Sequence, residues 1–270
     1  MNFLGAPPVS QAPVTTLDPN RWRTLFVVAI AQLMVVLDSS IVNIAIPSAK
    51  ADLGITDANQ QWVITAYTLA FGSLLLIGGR IGDFMGRKKI FLIGLAGFAL
   101  VSALGGVAAN QEQLFAARAL QGVFAALLAP AALSIVSVTF IVPTERAKAF
   151  GVIGAISGGG AAIGLILGGA LTEFFSWRWC LGVNVPIAAA AGLLAIKYVK
   201  ESKAGGDRSY DVPGVITATA GLFSLTYGFN EAATKGWSAN STISFLIAAV
   251  VLLVAFVFIE KKVANPMMPL

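Results

Sequence analysis

The chain has 270 residues, of which 57% are hydrophobic and only 11% charged, and it carries a formal net charge of +5. Soluble domains have about a quarter of their residues charged, so this composition excludes an ordinary globular enzyme domain and indicates an all-α polytopic membrane protein. There is no histidine and one cysteine, Cys180. The commonest metal ligand and an intrachain disulfide are therefore both excluded, no metal or cofactor is expected, and any proton chemistry falls to carboxylates.

Residues 1–23 are polar and proline-rich (Pro7, Pro8, Pro13, Pro19) and lack a basic n-region. They read as a cytosolic tail and not as a cleaved signal. Trp22, between Arg21 and Arg23, marks the first interface. Eight apolar segments follow, each about long enough to cross a bilayer: Leu25–Ile46, Trp62–Gly79, Ile90–Ala109, Leu114–Val142, Ala147–Phe175, Leu181–Val199, Val212–Phe229 and Ile243–Ile259. The fourth and fifth exceed one span, which implies tilt or interfacial ends. The mixed-charge loop Lys200–Asp211, with Gly205 and Gly206, divides six spans from two. The expected organisation is a six-helix bundle over 24–200, a cytosolic linker over 201–211, two further helices over 212–262, and the start of another linker at 263–270.

With the N-terminus inside, fourteen of the eighteen Lys and Arg residues fall on the cytosolic side. Lys50, Arg178 and Lys235 fall outside, and Arg118 lies within a span. That bias predicts both termini in the cytosol.

Asp38 sits well inside the first span, where a carboxylate costs several kcal/mol unless neutralised, paired or hydrated. Proton or cation handling is the functional reading. The plainer alternative is a protonated carboxyl bonded to a neighbouring helix. Arg118 is the second charge inside a span and stays protonated. Asp38 lies about 13 Å below Pro47 and Arg118 about 7 Å below Gln113, at 1.5 Å per residue. The axial gap of about 6 Å is within arginine reach, and such a pair would tune the affinity of Asp38 for protons. Snorkelling of Arg118 to the outer headgroups is the alternative.

Between the second and third spans the sequence reads Gly78-Gly79-Arg80-Ile81-Gly82-Asp83-Phe84-Met85-Gly86-Arg87-Lys88-Lys89. Its glycines permit a tight turn, and Asp83 can pair with a basic group or cap a helix. An ion pair there can hold one conformation and release another; alternatively the basic loop only sets topology. In the fifth span Gly160, Gly164 and Gly168 recur every four residues, with Gly151 and Gly169 nearby. Such a stripe lets helix backbones approach closely.

The Gly78–Lys89 pattern resembles motif A of the major facilitator superfamily, in the loop where that family carries it. Arg118-Ala119-Leu120-Gln121-Gly122 resembles motif B. Leu37-Asp38-Ser39-Ser40-Ile41-Val42-Asn43-Ile44-Ala45-Ile46-Pro47 resembles the first-span motif of drug:proton antiporters. Trp177-Arg178-Trp179 with Asn184 and Pro186 is similar to the fifth-to-sixth connection of the fourteen-helix branch, which inserts two helices between its halves. The fifth-span glycines resemble motif C, with Leu165 where that motif has proline.

The resemblance implies proton-coupled export of lipophilic or cationic drugs by alternating access, in a plasma membrane. Asp38 would couple protons, tuned by Arg118. Gly79, Asp83, Gly86, Arg87 and Lys88 would form the gating loop. Gly151, Gly160, Gly164, Gly168 and Gly169 would pack helices. Asn43, Gln61 and Tyr67 are candidates for lining the cavity. The chain is expected to be a truncated, eight-helix N-terminal portion lacking a C-terminal six-helix half. The alternatives are a facilitator of another small solute, sustained by Leu165, and a transport-inactive half needing a partner. No phosphate-binding loop or nucleophile–base pairing is visible, so ATP-driven transport and enzymatic activity are not expected. The basic loops are expected to face anionic lipid and not nucleic acid.

Overall fold

The computed structural model describes residues 17–204 and 211–263. Most of the expected tail, the centre of the 201–211 linker and nearly all of the 263–270 segment lie outside the described residues. The described residues form helices and no strand: α1 (Arg21–Leu53), α2 (Trp62–Met85), α3 (Arg87–Gly106), α4 (Gln111–Thr139), α5 (Pro143–Phe174), α6 (Trp179–Gly182), α7 (Asn184–Tyr198), α8 (Val212–Lys235) and α9 (Asn240–Glu260).

Local chemistry sets several boundaries. Gly54, at φ +65°, closes α1 in the left-handed conformation that glycine adopts without a Cβ penalty, and its N–H bonds the Lys50 carbonyl. The Asn110 side chain accepts from the Gln113 N–H at 2.9 Å, while the Gln113 side chain accepts from Ala109 N–H at 2.8 Å. This reciprocal arrangement starts α4 as a capping box does. Pro143 opens α5, where a missing N–H costs nothing. Pro47 lies inside α1 and does not end it. The helix is 33 residues long, against the shorter Leu25–Ile46 expected from hydropathy, because polar turns extend it at both ends.

Two differences from the sequence expectation matter for the site. The sixth segment is broken at Val183 into the short α6 and α7. The Gly78–Lys89 segment is not an open loop: α2 runs to Met85, α3 starts at Arg87, and Gly86 at φ +117° is the whole connection.

In packing, α2 lies along α4, α3 along α4 and α7, α1 along α5 and α7, and α8 along α9 and α2. Small residues permit the closest crossings. A Cβ at Gly78 would stand 1.9 Å from the Ala126 carbonyl oxygen, and one at Gly122 would stand 2.4 Å from that of Tyr67. A Cβ at Gly97 would enter the Phe124 ring. The interior is built from residues such as Val28, Met34, Phe91, Phe98, Leu128 and Ile135.

Seven helical stretches among the described residues are long and apolar enough to cross a membrane, with Trp179–Tyr198 counted as one. Their outer faces keep large apolar groups exposed, for example Leu100, Ile166, Leu193 and Phe258, as contact with hydrocarbon requires and water disfavours. This is a multi-pass membrane protein. The expected seventh span is occupied by α8, which is not among the seven. Thr217, Thr219, Ser224, Thr226, Asn230 and Glu231 lower its hydropathy. It packs with α9 against α2, where Thr65 Oγ1 and Asn230 Oδ1 lie 2.8 Å apart.

Candidate functional site: a buried carboxylate–guanidinium network

Asp38, midway along α1, is fully buried, and Arg118, on α4, is 2% exposed. They are in direct contact: Arg118 Nη1 donates to Asp38 Oδ2 at 2.6 Å. The same nitrogen donates to Gln121 Oε1 at 2.8 Å, and Nε donates to the Val63 carbonyl at 3.0 Å. The guanidinium carbon lies 4.6 Å from the centre of the Tyr67 ring, a cation–π distance. The other carboxylate oxygen, Asp38 Oδ1, accepts from Asn184 Nδ2 at 2.7 Å and from Gln121 Nε2 at 3.1 Å. Gln121 Nε2 also donates to Ser102 Oγ at 2.7 Å.

Donors from α4 and α7 therefore meet on one carboxylate of α1, with α2 and α3 completing the network. Gln121 lies one turn along α4 from Arg118, so both face the same way. Asn184 is the first residue of α7. A buried ion pair holds where its partners are hydrogen-bonded: both Asp38 oxygens accept, and Arg118 donates through Nε and Nη1. Asn184 Oδ1, by contrast, is buried without a hydrogen-bond partner. The side of the network nearest Trp177 and Leu181 is closed, leaving a void of about 10 Å³ bounded by Val42, Val63, Leu114 and Arg118. That is about the space of one water molecule.

That closed end is tied down by Trp177 and Arg178. Trp177 Nε1 donates to Asp52 Oδ2 at 3.0 Å, and Arg178 Nη2 reaches the same oxygen at 2.9 Å. Arg178 Nη1 donates to the carbonyls of Gly106 and Ala108, at 3.1 and 2.7 Å. Carbonyls at the end of α3 thereby gain a partner.

At the opposite end, Asp83 and Arg87 pair within one turn, with Arg87 Nη2 2.7 Å from Asp83 Oδ1. Glu201, just beyond α7, receives the backbone N–H groups of Lys88 and Lys89 at 3.1 Å each. Its carboxylate thus caps the positive end of α3. A Cβ on Gly86 would stand 2.7 Å from that carboxylate. Gly79 lies 3.5 Å from Pro130 of α4 by the same measure.

The fifth-span glycines separate into two sets. Gly160, Gly164 and Gly168 lie against Val36, Ser40 and Ile41 of α1, and Gly164 is the tightest. Gly151 and Gly169 have nothing near them, and Leu165 is 49% exposed. Of the three cavity-lining candidates, Asn43 and Gln61 are exposed, on α1 and just before α2. Tyr67 instead is buried beneath Arg118, because its ring screens the guanidinium. The sequence reading did not assign site roles to Ser102, Gln121, Asn184 or Glu201. The first three carried a visible signal, since each is a polar residue inside an apolar segment.

The buried charge network within a bundle of membrane-spanning helices belongs to the fold of a secondary transporter. The sequence profile described as Major Facilitator Superfamily matches residues 28–270, and the chain belongs to that family. It is 50% identical over 266 residues to the puromycin resistance protein pur8 of Streptomyces alboniger, covering 98% of this chain and 53% of that protein. It is 41% identical over 242 residues to the cephamycin export protein CmcT of Amycolatopsis lactamdurans, covering 88% and 50%. With the multidrug efflux pump LfrA of Mycolicibacterium smegmatis it shares 33% over 261 residues, covering 96% and 52%. The chain thus spans about half the length of the curated relatives it matches. Among solved structures, a mutant of the peptide transporter POT superposes with a TM-score of 0.65 at 13% identity, over 95% of this chain and 55% of that one. The human organic anion transporter MFSD10 (TETRAN) superposes at 0.53 and 16% identity, over 91% and 72%. At those identities the likeness is one of fold.

Proposed function

We propose that this chain forms one of the two moving units of a drug exporter that exchanges its substrate for protons through Asp38. The reading rests foremost on the Asp38–Arg118 pair, an intramembrane ion pair of the kind that marks proton and ion pathways. The names of the relatives, which concern antibiotic resistance and export, support a drug as the substrate, and lipophilic or cationic compounds are the class we propose. The second moving unit of an alternating-access cycle would correspond to the remaining length of those relatives, on the same polypeptide or another.

In the described state the carboxyl group of Asp38 is held by three donors. To accept a proton it must part from Arg118, since a protonated acid and a guanidinium compete for the same oxygen. Separation needs movement of α1 against α4, and the glycines where α1 and α5 meet allow α1 to slide at low steric cost. The positive-inside distribution supports both termini in the cytosol of a plasma membrane. On that orientation the Gly86 hinge is cytosolic, and Asp83, Arg87 and Lys88 form a gate that opens and closes with the cycle. Catalysis of a covalent reaction is no part of this reading.

The test is drug uptake by everted membrane vesicles driven by an imposed pH gradient, with Asp38→Asn. Gradient-driven uptake is expected to disappear while equilibrium drug binding remains. Gradient-driven uptake equal to that of the unaltered protein would overturn the reading.

A further inference from the structure

An apolar groove runs between α3 and α7. It encloses about 530 Å³ and is lined by Leu92, Ala96 and Ala99 on α3 and by Ala189, Gly192 and Ile196 on α7, among others. Small side chains make the trough: no atom lies within 4 Å of where a Cβ of Gly192 would be. On α7 the lining begins at Val185 and ends at Ile196. At 1.5 Å per residue that is roughly 16 Å, about the depth of one leaflet of a 30 Å hydrocarbon core.

The groove ends at a basic mouth. Lys88 Nζ donates to the Ile196 carbonyl at 2.8 Å, and Lys88 stands one turn from Leu92 on the same side of α3. Lys197 follows Ile196 and is exposed, its Nζ 5.3 Å from the Tyr198 ring centre. Neither lysine has a carboxylate partner among the described residues. Glu201, the acid at this end, spends its oxygens on the N–H groups of Lys88, Lys89 and Ser202. Asp83 is engaged by Arg87.

We propose that this groove is a site for one anionic phospholipid, with an acyl chain lying along α3 and α7 and the phosphate held by the ammonium groups of Lys88 and Lys197. Apolar contact alone would not select it, because the bulk bilayer is as apolar as the groove. Selection comes from the headgroup, since basic pockets between membrane helices hold anionic lipids. The site is independent of the proton-coupling reading. It places a lipid phosphate on Lys88, beside the Gly86 hinge.

The test is native mass spectrometry of the purified protein with dioleoyl phosphatidylglycerol or dioleoyl phosphatidylcholine, present singly and in competition. Phosphatidylglycerol is expected to be retained in preference. Lys197→Gln should weaken its retention roughly fivefold, and the pair with Lys88→Gln further, as each lysine near an anionic surface contributes about that factor. Gly192→Leu should remove the tightly held lipid by filling the trough. Ala189→Leu, at an exposed position, serves the same purpose should Gly192→Leu fold poorly. A preference for phosphatidylglycerol that survives both lysine substitutions would overturn the proposal, as would retention unchanged by filling the groove.

Discussion

Arg118 Nη1 lies 2.6 Å from Asp38 Oδ2, with both side chains out of reach of solvent. Each charge depends on the other. Removing one partner of such a pair leaves a bare buried charge and costs about 3–5 kcal/mol, whereas neutralising both costs much less. Arg118→Gln or Asp38→Asn alone is therefore expected to lower the melting temperature in detergent sharply. Asp38→Asn together with Arg118→Gln is expected to recover most of the loss. The double-variant cycle, followed by tryptophan fluorescence on heating, measures the coupling.

The remaining donors to Asp38 act by fixing its position. Asn184→Leu removes one hydrogen bond to a charged acceptor, a loss of about 1.5–3 kcal/mol. Ser102→Ala removes only an indirect one and is expected to cost less than Asn184→Leu. Thermal melts of the two variants under identical conditions give the order.

Gly86 combines a positive φ with a carboxylate over its bare Cα. Gly86→Ala meets both obstacles, and the backbone part alone is of order 1–3 kcal/mol. Adding Glu201→Ala removes the clash but leaves the backbone strain and uncaps α3. The double variant is therefore expected to remain less stable than the unaltered protein, as size-exclusion profiles after graded heating would record.

The glycines of α2 and α5 should divide by surroundings and not by sequence spacing. Gly78→Ala drives a methyl into the Ala126 carbonyl and Gly164→Ala drives one to 2.7 Å from Ser40 Cβ. Overpacking of this kind typically costs 1–3 kcal/mol. Gly151→Ala has open space around it and is expected to fold as well as the unaltered chain. Yield of monodisperse protein in detergent distinguishes the two groups.

The α8–α9 hairpin is joined to α2 partly through Thr65 and Asn230. Either Asn230→Leu or Thr65→Val alone leaves a polar group without its partner, at about 1–3 kcal/mol, and the two together should cost less than either. A cycle of melting temperatures tests this.

Much of the site was legible in the sequence because a charge inside a membrane helix is conspicuous. Asp38 and Arg118 stand out in apolar runs, and helical rise alone put them at compatible depths. What stayed hidden depends on which helices are neighbours. Ser102 and Asn184 stand out as polar residues in apolar segments, but the network that joins them to Asp38 exists only when α3, α4 and α7 are brought together. Tyr67 is one aromatic residue among several in the second span until α4 is brought beside it, which sets its ring centre 4.6 Å from the Arg118 guanidinium carbon. Glu201 was hidden for another reason: a charged residue beyond a span reads as topology until its partner, the start of α3, is known. The polar side chains of α8 set its hydropathy apart from that of the seven apolar helices, and several of them are held by α2 or by the helix's own turns.

The short stretch after α7 is also a mechanical coupling. Glu201 holds the first N–H groups of α3, the Ser202 carbonyl accepts from Arg87 N–H at 2.9 Å, and Ala204 N–H reaches the Asp83 carbonyl at 3.0 Å. Three of four consecutive residues thus grip both sides of a one-residue hinge. A tug on the chain beyond Ala204 would be felt at Gly86 before it is felt by the helix from which that chain emerges. The stretch after α7 is in this sense fastened to the joint between α2 and α3, and a movement of one is a torque on the other.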